Sequence, residues 1–345
     1  MPIISIVSFI AFFGVFLFSV NIFANDDAHE VKFKKDYFFH GTDSDMIKTI
    51  VPFLDTTHNW LSHQVEDTGQ LIDGIFNTED SFDERNGSRL DIVFPINFND
   101  HGYVSSSVNF RSKVELPNLN KRWNLIVSAS SDKIGGFFEE GGASEGSSSQ
   151  KSSTTSSANS TEIGLQFKIK SENYTLSFLD AGINLQGLDM PDYFVRIKGH
   201  YQWQLSEKIT AKMNQNLFYR GQDGVGLRSR QVFDYKIDKR QLLRSQTVGT
   251  WWDSEQYYDL QHDFLYYEII NNHRSFAYNL SWNWDNLDNE FELNKISIGL
   301  DWREKIYKNW LFFSIKPNIE FLKKESFEKN YPSITFELEA RFFKL

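Results

Sequence analysis

The chain has 345 residues, a net charge of −10 with histidine neutral, and no cysteine. Without thiols there can be no disulfide staples, thiol nucleophiles or thiolate metal sites. The acidic balance argues against nucleic acid as a partner, because it would repel a phosphate backbone. Mean hydropathy is −0.44 although 32 Phe, 14 Tyr and 9 Trp are present, the combination expected when every second strand residue faces water.

Residues 1–24 read as an export signal: apolar Ile3-Ile4-Ser5-Ile6-Val7 through Phe18, then Ala24 before Asn25-Asp26-Asp27. A single membrane anchor is the other reading, but the apolar run is barely long enough to span. No later segment reaches the roughly eighteen consecutive apolar residues that a spanning helix needs.

Residues 25–85 form a polar extension with a helix expected over 57–76. Trp60, Leu61, Val65, Leu71, Ile72, Ile75 and Phe76 recur at helical spacing and make an apolar stripe, with Thr56 or Thr57 as N-cap. Such a stripe can dock a partner, plug a barrel or pack against its rim. The partner-docking role is the expectation taken forward.

From Arg89 onward the period changes to two. Leu90, Ile92, Phe94 and Ile96 alternate with polar neighbours, as do Val108 and Phe110; Trp123, Leu125 and Val127; and Ile163, Leu165, Phe167 and Ile169. Tyr174, Leu176 and Phe178 read as the next apolar face. Val195, Ile197, Tyr201 and Trp203 follow, then Ile209, Ala211 and Met213; Phe233, Tyr235 and Ile237; and Val248, Thr250 and Trp252. The tail is the clearest: Phe276 to Trp284, Ile296 to Trp302, Leu311 to Phe321, and Ile334, Phe336, Leu338, Ala340 and Phe342 against Thr335, Glu337, Glu339 and Arg341. Residues 257–270 alternate poorly, and Pro317 suggests a bulge or a rim position. The count is about fourteen strands, or twelve if the segments near 172–182 and 257–269 are misread.

Connections alternate in length. Turns at 117–120, 170–173, 204–207, 237–240, 270–273 and 304–307 are short, while 131–159, 181–192, 285–291 and 322–330 are longer. That phase suits a barrel with both ends on the periplasmic side. The connection 131–159 is rich in Gly, Ser and Thr and is expected to be a flexible extracellular loop.

The face opposite the apolar one carries Arg89, Arg111, Lys113, Arg196, Lys198, Arg228, Arg230, Arg244, Arg303, Lys316, Glu320, Glu337, Glu339 and Arg341 as candidate lumen-lining residues. Arg228 and Arg230, with Arg196 and Lys198 two strands away, make the densest positive patch. Those charges either focus anions inside a low-dielectric wall or close the interior through Arg–carboxylate networks. Gly142-Ala143-Ser144-Glu145-Gly146 matches the Gly-x-Ser-x-Gly spacing but falls within the Gly-, Ser- and Thr-rich connection 131–159 and not at the strand-to-helix turn that makes a nucleophile elbow. His58 and His63 are five apart and do not stack on a helical face. No catalytic residue, metal ligand or cofactor is therefore assigned, and an enzyme is not expected, a lipid-modifying hydrolase being a minor alternative.

The export signal, the dyad alternation and the amphipathic last strand together resemble the Gram-negative outer-membrane β-barrel proteins, over residues 86–345. The resemblance implies an all-β, single-chain antiparallel transmembrane barrel with a short N-terminal periplasmic helix, located in the cell outer membrane. It also implies contact with the lipid bilayer and lipopolysaccharide, and with a barrel-assembly machinery that reads the last strand. Here the aromatics Phe342 and Phe343 stand two to three residues before the end. The expected function is a structural or accessory barrel of an envelope complex, its partner docked through the helix. The alternative is a passive channel with an anion bias for small solutes.

Overall fold

The computed structural model describes residues 75–76, 88–100, 102–116, 122–130, 160–172, 175–186, 191–221, 223–254, 256–286, 290–308 and 310–344, all within a compact unit spanning Val51–Leu345. The expected signal (1–24), most of the expected helix (57–74), the turn at 117–120 and the Ser-rich connection 131–159 lie outside the described residues.

The alternation of branched and aromatic residues with polar ones folds as strands throughout. They are β1 (Ser88–Asn99), β2 (Val104–Ser106), β3 (Asn109–Glu115), β4 (Trp123–Ser130), β5 (Ser160–Glu172), β6 (Thr175–Gln186), β7 (Asp192–Gln204) and β8 (Ile209–Arg220). Then follow β9 (Gly224–Lys236), β10 (Gln241–Trp252), β11 (Tyr257–Ile269), β12 (Arg274–Asp285), β13 (Glu292–Tyr307), β14 (Leu311–Leu322) and β15 (Asn330–Lys344). Both β2 and β3 pair with β1 and form one interrupted stave. Each stave otherwise pairs antiparallel with its sequence neighbours, and β15 returns to β1 from Ser88↔Lys344 to Asn99↔Ser333. The result is a closed ring of fourteen staves with no free sheet edge.

The two faces of the ring have opposite chemistry. Large apolar side chains such as Phe94, Ile163, Ile197, Leu217 and Ile298 are exposed on the outside, while Arg89, Asp91, Glu162, Lys198, Asp263 and Glu339 are buried on the inside. Phe276, Leu300 and Phe336 take the outer positions of their strands. A soluble protein would invert this arrangement; a barrel whose solvent is hydrocarbon requires it.

Several local expectations are corrected. Phe178 is buried on the inner face, in line with Asp180 and Asn184, and Leu179 and Ile183 take the outer one. Val248, Thr250 and Trp252 also point inward: they share parity with Arg244, whose pairing with Asp234 fixes the phase of β10. Residues 181–186 belong to β6, and 304–307 end β13, so the short turn falls at 308–310. Pro317 is no bulge. It faces outward opposite Ile334, and the ladder to β13 lapses between Gly299↔Asn318 and Trp302↔Ile315 without a change of register. The missing N–H is the physical reason.

Candidate functional site

The interior is lined by alternate residues of every strand, and its charges meet along the wall. Glu162 on β5 accepts from Arg220 Nη2 at 3.1 Å and from Arg196 Nη1 at 3.4 Å. Arg196 Nε also donates to Asp180 Oδ2 at 3.1 Å, with Lys198 Nζ 3.5 Å from the same oxygen. Two carboxylates, Glu162 and Asp180, thus link four consecutive staves, β5 to β8.

Further round, Arg244 grips Asp234 through two bonds of 2.6 and 2.8 Å, the planar fork geometry that suits a carboxylate. Arg230 donates from Nε and Nη2 to Gln246 Oε1 at 3.1 and 2.9 Å. On the far side Arg303 contacts Glu339 and lies 3.7 Å from Glu337, Lys316 Nζ donates to Glu337 at 2.8 Å, and Arg341 Nε donates to Glu339 at 2.8 Å. Lys295 reaches Glu320 at 3.6 Å. Arg89 donates to Asp91 at 2.8 Å, with Arg111 3.5 Å from the same carboxylate. Each of these pairs lies within one stave or joins staves at most three apart.

All fourteen candidate lumen residues lie on this inner face. Arg196 and Lys198 are brought together by Asp180, Arg303 and Arg341 by Glu339, and Arg89 and Arg111 by Asp91, while Lys113 stands opposite Arg89 across the ladder. Arg228 sits opposite Asn216, and Arg230 opposite Asn214. Glu162, Asp180 and Arg220, which make these links, and Asp263, which accepts from Ser281 Oγ at 2.5 Å and Gln246 Nε2 at 3.5 Å, are not among the candidates drawn from the sequence. Strand parity was the available signal, since each shares its face with a neighbouring polar residue.

The inner wall also holds side-chain atoms with no protein hydrogen-bond partner: both polar atoms of Asn184 and of Asn279, Ser128 Oγ and Asp301 Oδ1. Buried amides and hydroxyls of this kind are satisfied by ordered water, which suits a hydrated interior.

One part of the inner wall is apolar. Near the end that carries the short turns, Leu242, Leu265, Tyr267, Ile269 and Ala277 form a buried cluster with Phe76, and Ile75 packs beside it. The rings of Phe76 and Tyr267 are 5.0 Å apart. This accounts for the poor alternation of β11. Leu260, Phe264 and Tyr266 face outward, while Leu265 and Tyr267 face inward to receive Phe76. Of the expected docking residues, Ile75 and Phe76 are thus placed inside the barrel, and Trp60, Leu61, Val65, Leu71 and Ile72 lie outside the described residues.

A closed antiparallel ring with an apolar outside and a charged inside defines a transmembrane β-barrel of the outer-membrane type. No protein-family model matches the chain, and no curated protein does. Solved structures similar in fold include a channel described as the CymD monoaromatic hydrocarbon channel (9% identity, 79% of this chain and 92% of that one, TM-score 0.43). Others are OprB of Pseudomonas putida (9%, 74% and 94%, TM-score 0.45) and the KdgM porin in complex with disordered oligogalacturonate (5%, 74% and 99%, TM-score 0.36).

Proposed function

We propose that this outer-membrane barrel is a passive channel for small solutes with a bias toward anions. The observation that carries the reading is the charge on three adjacent staves. The inner face of β7–β9 presents Arg196, Lys198, Lys212, Arg220, Arg228 and Arg230, and the carboxylates of those strands are Asp192 and Asp234. Lined cations inside a low-dielectric wall concentrate anions and lower their entry barrier.

Two further features support it. The ion pairs run laterally along the wall, as they do when a lumen is left for solvent, and unpartnered amides line it. Fourteen staves also make a wider ring than the eight-stranded barrels whose own side chains fill them. Contact with lipopolysaccharide in the outer leaflet and passage through the barrel-assembly machinery follow from the location.

The test is reconstitution in a planar bilayer under a KCl gradient. Stepwise currents with a reversal potential on the chloride side are expected, and Arg228→Glu with Arg230→Glu should move that potential toward the potassium side. An electrically silent, folded barrel overturns the channel; a reversal potential indifferent to the double change overturns the anion bias.

A further inference from the structure

The outer face is apolar at mid-depth on most of its circumference: Ile92, Phe94 and Ile96 on β1, Ile296, Ile298 and Leu300 on β13, Phe336 and Leu338 on β15. On β8 to β11 it is not. There the outward positions at the middle of each strand are Gln215, Ser229 and Gln231, Ser245 and Thr247, and His262. They are contiguous, because Gln215 pairs with Ser229, Gln231 with Thr247, and Thr247 with His262 across the ladders. Gln215 Nε2 donates to Ser229 Oγ at 2.6 Å, and Thr247 Oγ1 is hydrogen-bonded to His262 Nδ1 at 2.8 Å.

These contacts use only part of what the groups offer, since one primary amide carries two donors and two acceptor lone pairs. Hydrocarbon satisfies none of them, and polar groups at membrane depth are costly unless protein covers them. The side chains of Ser229, Ser245 and Thr247, with Gly249 beside Ser229, are shorter than neighbours such as Leu217, Trp251 and Phe264, so the outer surface is lower there, with Ser229 itself 9% exposed. Recesses of small residues let a second backbone approach closely.

We propose that this recess is the contact surface for a second copy of the same chain. The patch carries amides and hydroxyls whose opposite partial charges match, so it complements itself. A two-fold axis through it brings the same patch of both copies together, so that donors of one copy can meet acceptors of the other. A charged partner would meet no counter-charge there, and lipid would meet no hydrogen-bonding partner of its own. The surface lies on the opposite side of the wall from the lumen, so it stands whether or not the barrel conducts.

The chain lacks cysteine, so a single introduced thiol reports only contacts between molecules. Ser229→Cys, Ser245→Cys and Thr247→Cys scan the recess, and Ile298→Cys on β13 is the control; all four are oxidised in native outer membranes. At least one recess variant is expected to give a disulfide-linked species of twice the chain mass, and Ile298→Cys none. Gln215→Leu combined with Gln231→Leu in the same background should reduce that species at least tenfold, with the barrel's heat-modifiable migration retained. Light scattering on the unmodified protein in mild detergent should return twice the chain mass. The proposal is overturned by a monomeric mass with no recess cross-link, by equal cross-linking at Ile298→Cys, or by a cross-link to a protein of different mass.

Discussion

Arg341 Nη2, on the last strand, donates to the backbone carbonyl of Ile75 at 2.9 Å across 266 residues of sequence. The same guanidinium binds Glu339, so Ile75 is tied to the β15–β1 seam that closes the ring. Phe76, the next residue, is held by the opposite kind of force: it fills the apolar patch of Leu242, Leu265, Tyr267, Ile269 and Ala277. One polar and one apolar anchor thus hold Ile75 and Phe76 inside the end that carries the short turns.

Phe76→Asp removes the apolar anchor and places a carboxylate against that patch. Loss of a buried phenylalanine costs about 3–5 kcal/mol, enough to release Ile75 and Phe76 from the wall. The expected result is a larger single-channel step with an unchanged strand content by circular dichroism. An unchanged step size would show that Phe76 does not obstruct the passage.

Glu162→Gln keeps the shape of the side chain and removes the charge shared by Arg196 and Arg220. Stripping one partner from a buried ion pair costs up to about 3–5 kcal/mol, because both arginines keep their charge and lose this carboxylate, Arg196 retaining only Asp180. A clear fall in the temperature of the heat-modifiability transition is expected on gel electrophoresis. A transition at the unmodified temperature would mean that solvent already compensates those arginines.

Ile298→Lys tests the lipid-facing assignment. Ile298 is 53% exposed at the middle of β13, and a lysine at the bilayer midplane of a barrel costs about 2–4 kcal/mol. Reversible unfolding from vesicles by denaturant should show that loss. A neutral result there would put the outer face in water.

Gly182→Val addresses packing between β5 and β6. Gly164 and Gly182 pair across the ladder, and a Cβ at Gly182 would run into the Ile163 carbonyl oxygen and Gly164 Cα. The obstacle is backbone, which cannot rotate away, so overpacking of at least about 1–3 kcal/mol is expected. The readout is the folded fraction recovered in the outer membrane, which should drop well below that of the unmodified chain.

Much of this architecture was legible in sequence because strand alternation is a local property. Ile334 to Phe342 and Leu90 to Ile96 announce their faces alone, since a charge at every second position cannot sit against hydrocarbon. The fourteen-strand count, the short turns at 237–240 and 270–273, and the inward arginines followed from the same rhythm. It failed where apolar residues occupy both faces. β10 was phased by Val248, Thr250 and Trp252, when the pairing of Arg244 with Asp234 decides it. Phe178 was given to the wrong side for the same reason.

By itself, then, the sequence determined the period, the segment boundaries within a few residues and the sign of the charges that turn inward, because these depend on neighbours one or two positions away. Only the tertiary structure decided that β15 closes on β1, that Glu162 serves arginines on two other strands, and that Phe76 lies against β10–β12. Ring closure and the stagger between strands set which side chains meet, and both are properties of the whole ring that no single strand encodes.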